Sequence, residues 1–363
     1  MSLADAGRRT ATRERPRPLR TRPTVSVVVP CYNYGRYLPD CVASILAQDG
    51  VDVDVLIVDD ASPDGSVEVA RQLAADPRVR VIEHVVNRGH IATYNEGLAK
   101  ATGDYVVLLS ADDLLTPGSL ARSTALLEAH PEVGFVYGFS AAFDETPPAP
   151  RTRVDSWSIW PGGEWMRENC EQATNPVSTP EVVMRSSMMR TLEGYDGRVP
   201  HAADFLLWLR AAAHGHVGRV NGVDQAFYRV HGANMHVQEF GGMVRDIRER
   251  AAVLDILFTE EGEPVAELRH LHGLAKAALA RTALSLAGQA AGRADPASEA
   301  PEDLARLAAS IDPEIRATGR WRRYERLLRR GPRRRRPSAL RRLAERVDRR
   351  LRWGRWRRRG IRV

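Results

Sequence analysis

Val25-Ser-Val-Val-Val29-Pro30-Cys-Tyr32-Asn33 is the first of four junctions on which the reading of the fold turns. The others are Val53 to Val58 running into Asp59-Asp60, Val79 to Val85 running into Asn87, and Tyr105 to Leu109 running into Ser110-Ala-Asp112-Asp113. Each is a short run rich in β-branched residues that breaks into polar ones, which reads as a buried strand ending in a loop. The first run is expected to stop at Pro30, which cannot continue a ladder. Between the runs the periodicity becomes helical: Leu38, Val42, Ile45 and Leu46 within 37–48, then Val67, Val69 and Leu73 behind a capping Asp64, then 91–101. Beyond them, 117–128 reads as helix, 133–139 as strand, 203–213 as a helix headed by Asp204, and 225–231 as a short strand into a loop. Strands alternating with helices predict an α/β fold, a mostly parallel Rossmann-like sheet flanked by helices.

The chain has 363 residues, 43% of them apolar, and a net charge of +7. That charge is unevenly spread. Residues 1–22 hold seven Arg against Asp5 and Glu14, and residues 316–363 hold 22 Arg against Glu325, Glu345 and Asp348. By difference, residues 23–315 carry 24 basic and 41 acidic side chains, a net of −17, so the body is a poor nucleic-acid binder. Single cores stop growing at roughly 250–300 residues. The expected organisation is a disordered basic leader (1–22), a main domain (23–238), a helical appendage (239–315) with an Ala/Gly/Asp/Pro linker near 288–301, and an Arg/Trp-rich basic tail (316–363). Residues 140–180, rich in Pro, Trp and Gly, read as long loops over the sheet.

Cys31, Cys41 and Cys170 have no metal-ligand or CxxC spacing and read as small buried hydrophobes in a reducing compartment. There is no apolar signal region and no run of about 18 apolar residues. The expected location is cytoplasmic, or peripheral on the inner face of the cell membrane. In open α/β sheets ligands bind at the carboxyl ends of the strands. Four polar clusters at four such ends are better explained by a site than by four unrelated turns. There is no GxGxxG after the first strand and no GxxxxGK[ST], which excludes dehydrogenase and kinase-like readings.

The order Pro30-Cys-Tyr32-Asn33, Val58-Asp59-Asp60-Ala-Ser62-Pro-Asp64-Gly-Ser66, Asn87-Arg-Gly89 with Asn95-Glu-Gly97, and Ser110-Ala-Asp112-Asp113 resembles the family-2 inverting nucleotide-sugar glycosyltransferases of GT-A fold. Gly194-Tyr195-Asp196, Asp204 before Leu207-Trp208-Leu209-Arg210, and Tyr228-Arg229-Val230-His231 continue it, so that it covers roughly 24–235. The resemblance implies a sugar transferred with inversion from a UDP- or dTDP-sugar to an acceptor hydroxyl, in cell-surface glycan or secondary-metabolite synthesis. It places Pro30, Tyr32, Asn33, Asp60, Asn87, Arg88, Asn95, Ser110, Ala111 and Asp112 around the nucleotide, with Asp60 accepting from the base. It makes Asp112 and His231 holders of a divalent cation, Mg2+ or Mn2+, which would neutralise the leaving diphosphate. Relatives often have Asp where this chain has Ser110, and an acidic residue where it has Ala203.

Asp204 is the expected general base, a carboxylate that takes the acceptor's proton as the new bond forms. Asp113, His201 and Trp208 are expected on the acceptor side. Trp157, Trp160 and Trp165 read equally as sugar platforms or as core. The acceptor is a glycan, a lipid-linked sugar or a small molecule. The tail mixes Arg with Trp321, Leu327, Leu328, Leu340, Leu343, Leu351, Trp353 and Trp356, a pattern suited to an anionic membrane surface and less to nucleic acid. Two other readings compete: a degenerate nucleotide-binding partner subunit without transfer activity, and a membrane or nucleic-acid binder working through its tail.

Overall fold

A computed structural model of the chain describes residues 11–232, 242–291 and 300–330. Most of the expected linker, the expected boundary at 238 and the tail beyond 330 lie outside the described residues. The described residues fall into two compact units: one from 11–165, 177–200 and 207–231, the other from 166–176, 201–206, 232, 242–291 and 300–330.

The first unit is built on two sheets. Its strands are β1 (Thr12–Glu14), β2 (Thr24–Cys31), β3 (Asp52–Asp59), β4 (Val79–Glu83), β5 (Tyr105–Leu108), β6 (Leu114–Leu115), β7 (Val133–Tyr137), β8 (Ser140–Phe143), β9 (Ser156–Trp160), β10 (Val183–Arg185), β11 (His216–Asn221) and β12 (Ala226–Arg229). Nine form one sheet in the order β1-β9-β11-β7-β10-β5-β2-β3-β4, and three form another in the order β6-β12-β8. The block β5-β2-β3-β4 is parallel throughout, so its carboxyl ends share one edge. β10 runs antiparallel between β5 and β7, while β11 is parallel to β7.

Alternation along the parallel strands sorts their side chains onto two faces. Val25, Val27 and Val29 join Val53, Val55 and Ile57 in a core with Leu38, Cys41, Val42 and Ile45 of α1 (Leu38–Leu46), Ala70 of α2 (Ser66–Leu73) and Leu126 of α4 (Ser119–Ala129). On the other face lie Val28 and Val58, against which α3 (His90–Ala99) packs through Gly97. α6 (Ser186–Leu192) belongs to this unit, whereas α5 (Gly162–Gln172) and α7 (Ala203–His214) contribute residues to both. The second unit adds α8 (Met243–Asp255), which continues into a π turn at Ile256–Glu260, then α9 (Glu263–Ala266), α10 (Leu271–Ala291), α11 (Pro301–Ile311) and α12 (Gly319–Arg330). No helix among the described residues is long and apolar enough to cross a membrane.

Several expectations need correcting. Pro30 does not stop the first strand, because β5 pairs only as far as Val28 while β3 continues to Asp59 opposite Cys31. At Pro30 the strand therefore has a partner on one side only, where a missing N–H is tolerated. The strand expected to reach Val85 ends at Glu83, opposite the last residue of β3, and Val85 is 96% exposed. Residues 140–180 are not only loop: β8, β9 and α5 lie there. Every residue of β9 is buried, so the alternation that marks a half-exposed strand is missing. Within the leader, Thr12–Glu14 pairs with β9, helped by Arg13 Nε donating to Ser156 Oγ at 2.8 Å. β10 and β11 had no counterpart in the sequence reading.

Candidate functional site

The carboxyl ends of β2, β3, β4 and β5 bring the expected donor residues to one edge of the sheet. Asp60, 3% exposed, donates its N–H to Cys31 O at 2.9 Å. Its Oδ1 accepts from Arg88 N–H at 2.7 Å and lies 2.7 Å from His84 Nδ1, and its Oδ2 accepts from Gly89 N–H at 2.9 Å. Asn87 Nδ2 donates to the Asp60 carbonyl at 3.2 Å. Burial raises the Asp60 carboxyl, but these donors outweigh it and hold the group below its ordinary value. One carboxylate thus organises the Asn87-Arg88-Gly89 turn, whose Gly89 at φ +82° leads into α3. His84 reaches on to Glu96 Oε2 at 3.0 Å, and Arg88 pairs with the same oxygen. Asp59 accepts from Ser62 N–H at 3.0 Å through Oδ1, while its buried Oδ2 has no hydrogen-bond partner among the described residues.

Tyr32 stands 44% exposed beside this turn's neighbours, and Asn33, at φ 60°, donates its N–H to Ser62 Oγ at 3.0 Å. Asn95 pairs its amide with the backbone of Tyr195: Nδ2 donates to Tyr195 O and Oδ1 accepts from Tyr195 N–H, both at 2.8 Å.

At the end of β5, the Ser110 carbonyl accepts from Asp113 N–H at 2.9 Å, and Ala111 is fully buried. Asp112 and Asp113 are 5% and 2% exposed. Arg229, at the end of β12, holds both: its N–H donates to Asp113 Oδ1 and its Nε to Asp112 O, each at 2.9 Å. His231 Nε2 lies 3.0 Å from Asp112 Oδ2. The imidazole stacks on Tyr37 at 5.2 Å and meets Tyr34 edge-on at 5.5 Å. The Arg36 and Arg229 guanidiniums lie over Tyr37, 4.6 and 4.7 Å from its centroid. Burial raises the Asp112 carboxyl even though His231 opposes it, and burial together with Asp112 pushes Asp113 well up. Two adjacent buried acids form a place that favours added positive charge.

Those groups fit a hard divalent cation. Asp112 and His231 already converge, and Mg2+ or Mn2+ commonly takes one or two protein ligands and completes its shell from phosphate and water. Among the described residues no trio of His, Cys, Asp and Glu forms an all-protein cage. Phosphate oxygens and water would have to supply the rest.

In the second unit, Asp204 heads α7. Its Oδ2 accepts from Asn175 Nδ2 at 2.8 Å and its Oδ1 from Phe205 N–H at 2.7 Å. Burial pushes its carboxyl up to about 6 against these donors. His201 donates its backbone N–H to Glu249 Oε2 at 2.7 Å, and the side-chain hydrogen bond to Asp246, 3.3 Å away, raises its ring above the ordinary value. Trp208, in the first unit, is 2% exposed and stacks on Phe135 at 5.6 Å; Trp157, Trp160 and Trp165 are buried as well.

The sequence model of the family described as "Glycosyl transferase family 2" matches residues 26–191. A putative glycosyltransferase of Bacillus subtilis, EpsE, is 32% identical over 212 residues, 57% of this chain and 73% of that protein. The chain belongs to glycosyltransferase family 2. A second relative, an uncharacterized glycosyltransferase of Nostoc, alr2836, is 29% identical over 59% of this chain and 66% of its own length. Among solved structures, the Pyrobaculum calidifontis mannosyltransferase PcManGT in complex with GDP-Man and Mn2+ has a TM-score of 0.53 at 22% identity, over 86% of each chain. Staphylococcus aureus TarS 1-349 in complex with UDP has a TM-score of 0.54 at 14% identity, over 80% of this chain and 82% of that one. Both likenesses show the GT-A fold.

Four groups around this glycosyltransferase's strand ends were not assigned roles from sequence: His84, Tyr34, Tyr37 and Arg229. Arg229 stood in the Tyr-Arg-Val-His segment, so that signal was present. The other three are placed by tertiary contacts between β4 and α3, and between the β2 loop and His231.

Proposed function

We propose that this glycosyltransferase moves a sugar from a nucleoside-diphosphate donor, UDP- or dTDP-linked, to an acceptor hydroxyl with inversion at the anomeric carbon. The observation that carries the donor half is the Asp112–His231 pair at 3.0 Å, beyond the end of β5, on the same edge of the parallel block as Asp60 beyond the end of β3, with β2 between the two strands. Asp112 and His231 would hold Mg2+ or Mn2+, and the bound cation would neutralise charge on the departing diphosphate. Arg229 holds the Asp112 backbone carbonyl and the Asp113 carboxylate. Tyr32 offers an exposed ring for the base, and Asp60, Asn87 and Arg88 shape the pocket wall beside it. Asn33, Asn95, Ser110, Ala111 and Pro30 complete the proposed nucleotide side.

Asp204 is proposed as the base. The acceptor oxygen forms its bond to the anomeric carbon as the bond to the diphosphate oxygen breaks, and the acceptor's proton passes to the Asp204 carboxylate. Asp113 and His201 are proposed to act on the acceptor side through the groups they position. The relatives solved with GDP-Man and Mn2+ and with UDP support a nucleotide donor and a divalent cation. The acceptor is proposed to be a glycan, a lipid-linked sugar or a small molecule of surface-polysaccharide or secondary metabolism.

Calorimetric titration with UDP, dTDP and GDP, each with and without Mn2+, tests the donor half. One nucleotide should bind in a metal-dependent manner, and Asp112→Ala should weaken that binding roughly tenfold or more. No binding of any of the three under either condition would overturn the proposal.

A further inference from the structure

A strongly basic surface lies on α12, in the second unit. Arg320, Arg322, Arg323, Arg326 and Arg329 are exposed along it, and Arg316 just before it lies over the Trp321 ring at 5.6 Å. The helix carries one acid, Glu325, which accepts from Trp321 Nε1 at 3.0 Å and lies 3.8 Å from Arg329. The neighbouring α11 contributes Glu302, Asp303 and Arg306, of which Asp303 and Arg306 pair with each other.

At about 100° per residue, Arg322, Arg323, Arg326 and Arg329 fall on one arc of roughly 120°. Tyr324, 5% exposed, points the opposite way into its unit. Half-buried Leu327 follows the arc on one side; on the other Glu325 comes first and then half-buried Trp321, while Leu328 falls on the Tyr324 side. The result is a held helix with a cationic crest turned away from its apolar face, and with Leu327 and Trp321 half-buried at the margins of that face.

We infer that the basic face of α12 docks onto an anionic lipid surface. A bilayer presents a plane of phosphate headgroups to the crest. Tryptophan is suited to that boundary. A nucleic-acid duplex could engage the arginines, but it offers nothing to Trp321 at the margin, nor to the Trp353 and Trp356 that the sequence interleaves with the later arginines. The sequence beyond the described residues has the same sign, with 15 Arg in 331–363 against Glu345 and Asp348. The glycosyltransferase would thus work at a membrane face, and this holds whether or not the donor assignment does, since the readout is adsorption.

The test is sedimentation of the full chain with vesicles of phosphatidylcholine containing about 30% phosphatidylglycerol, at an ionic strength where the Debye length is about 10 Å. The combined variant Arg322→Glu, Arg326→Glu, Arg329→Glu changes only exposed side chains. A milder Arg→Gln triplet at the same positions guards against misfolding, and thermal melting checks both. Binding to the anionic vesicles should exceed binding to pure phosphatidylcholine, and the charge-reversed variant should lose roughly tenfold or more in affinity. Unchanged affinity in both folded variants, equal binding to neutral vesicles, or tighter binding of a short DNA duplex in the same buffer would overturn the inference.

Discussion

A carboxylate that removes a proton from an alcohol works best when its own pKa lies near the working pH. Asp204, pushed up to about 6 by burial, meets that condition. If it is the base, transfer should rise as pH increases through about 6 and level off above, because only the ionised form accepts the proton. Asp204→Asn should lower turnover by roughly 100-fold or more with nucleotide binding intact, and a pH–rate profile with a binding titration reads both. The linked effect on stability has the opposite sense. The folded chain keeps this proton to about 6, whereas an unfolded Asp releases it near 3.9, so the contribution of Asp204 to stability falls as pH rises between those values. Asp60, Asp112, His231 and Asp204 were legible as residues because each closes or opens a strand or helix within an ordered motif. Their hydrogen-bond partners were not. His84 lies inside the run read as the strand Val79 to Val85, where it carries no signal of its own, and only the meeting of the segment after β4 with β3 and α3 places it between Asp60 and Glu96.

Elements show the same division. β2, β3 and β5 were readable because both faces are buried over most of their length, so their runs are largely apolar. β9, equally buried, was obscured by its Trp and Ser content, and β10 by its shortness. α3 was readable as a helix but not as a helix that must touch the sheet at one point. A Cβ at Gly97 would lie 2.3 Å from Val28 Cγ1 and 3.1 Å from Val58 Cγ2. Gly97→Ala therefore gains about 1 kcal/mol of helix propensity but overpacks the interface by roughly 1–3 kcal/mol. The expected net result is a melting temperature lower by about 2–4 °C, measurable by thermal circular dichroism. An unchanged or higher value would mean that α3 stands off the sheet.

For the whole molecule, the chain passes repeatedly between its two units, since 166–176 and 201–206 belong with the residues after 232. A chain ending at His231 leaves those two segments without the rest of their unit. Its expected behaviour is a lower melting temperature and faster proteolysis than the full chain, checked by calorimetry and limited trypsin digestion. A fully stable product would show that the first unit folds alone. The expected boundary at 238 lies between the end of the family resemblance near 235 and the helical pattern that begins after it, and neither signal can report that two earlier segments fold with the later one.

The sequence by itself determined the α/β class, the order of the strand-end motifs, the family they belong to and the separation of an acidic body from arginine-rich ends. These are local or compositional properties, carried by periodicity and by residues close together in the chain. Only the tertiary structure decided which acids are saturated and which remain exposed to each other's charge, that Arg229 holds Asp112 and Asp113, and that the three loop tryptophans are core. The pairing of His231 with Asp112, expected from the resemblance, became a geometry only there. Those outcomes depend on contacts between residues as many as 119 positions apart, and on burial, which sets the electrostatics of a carboxylate and belongs to the packed molecule alone.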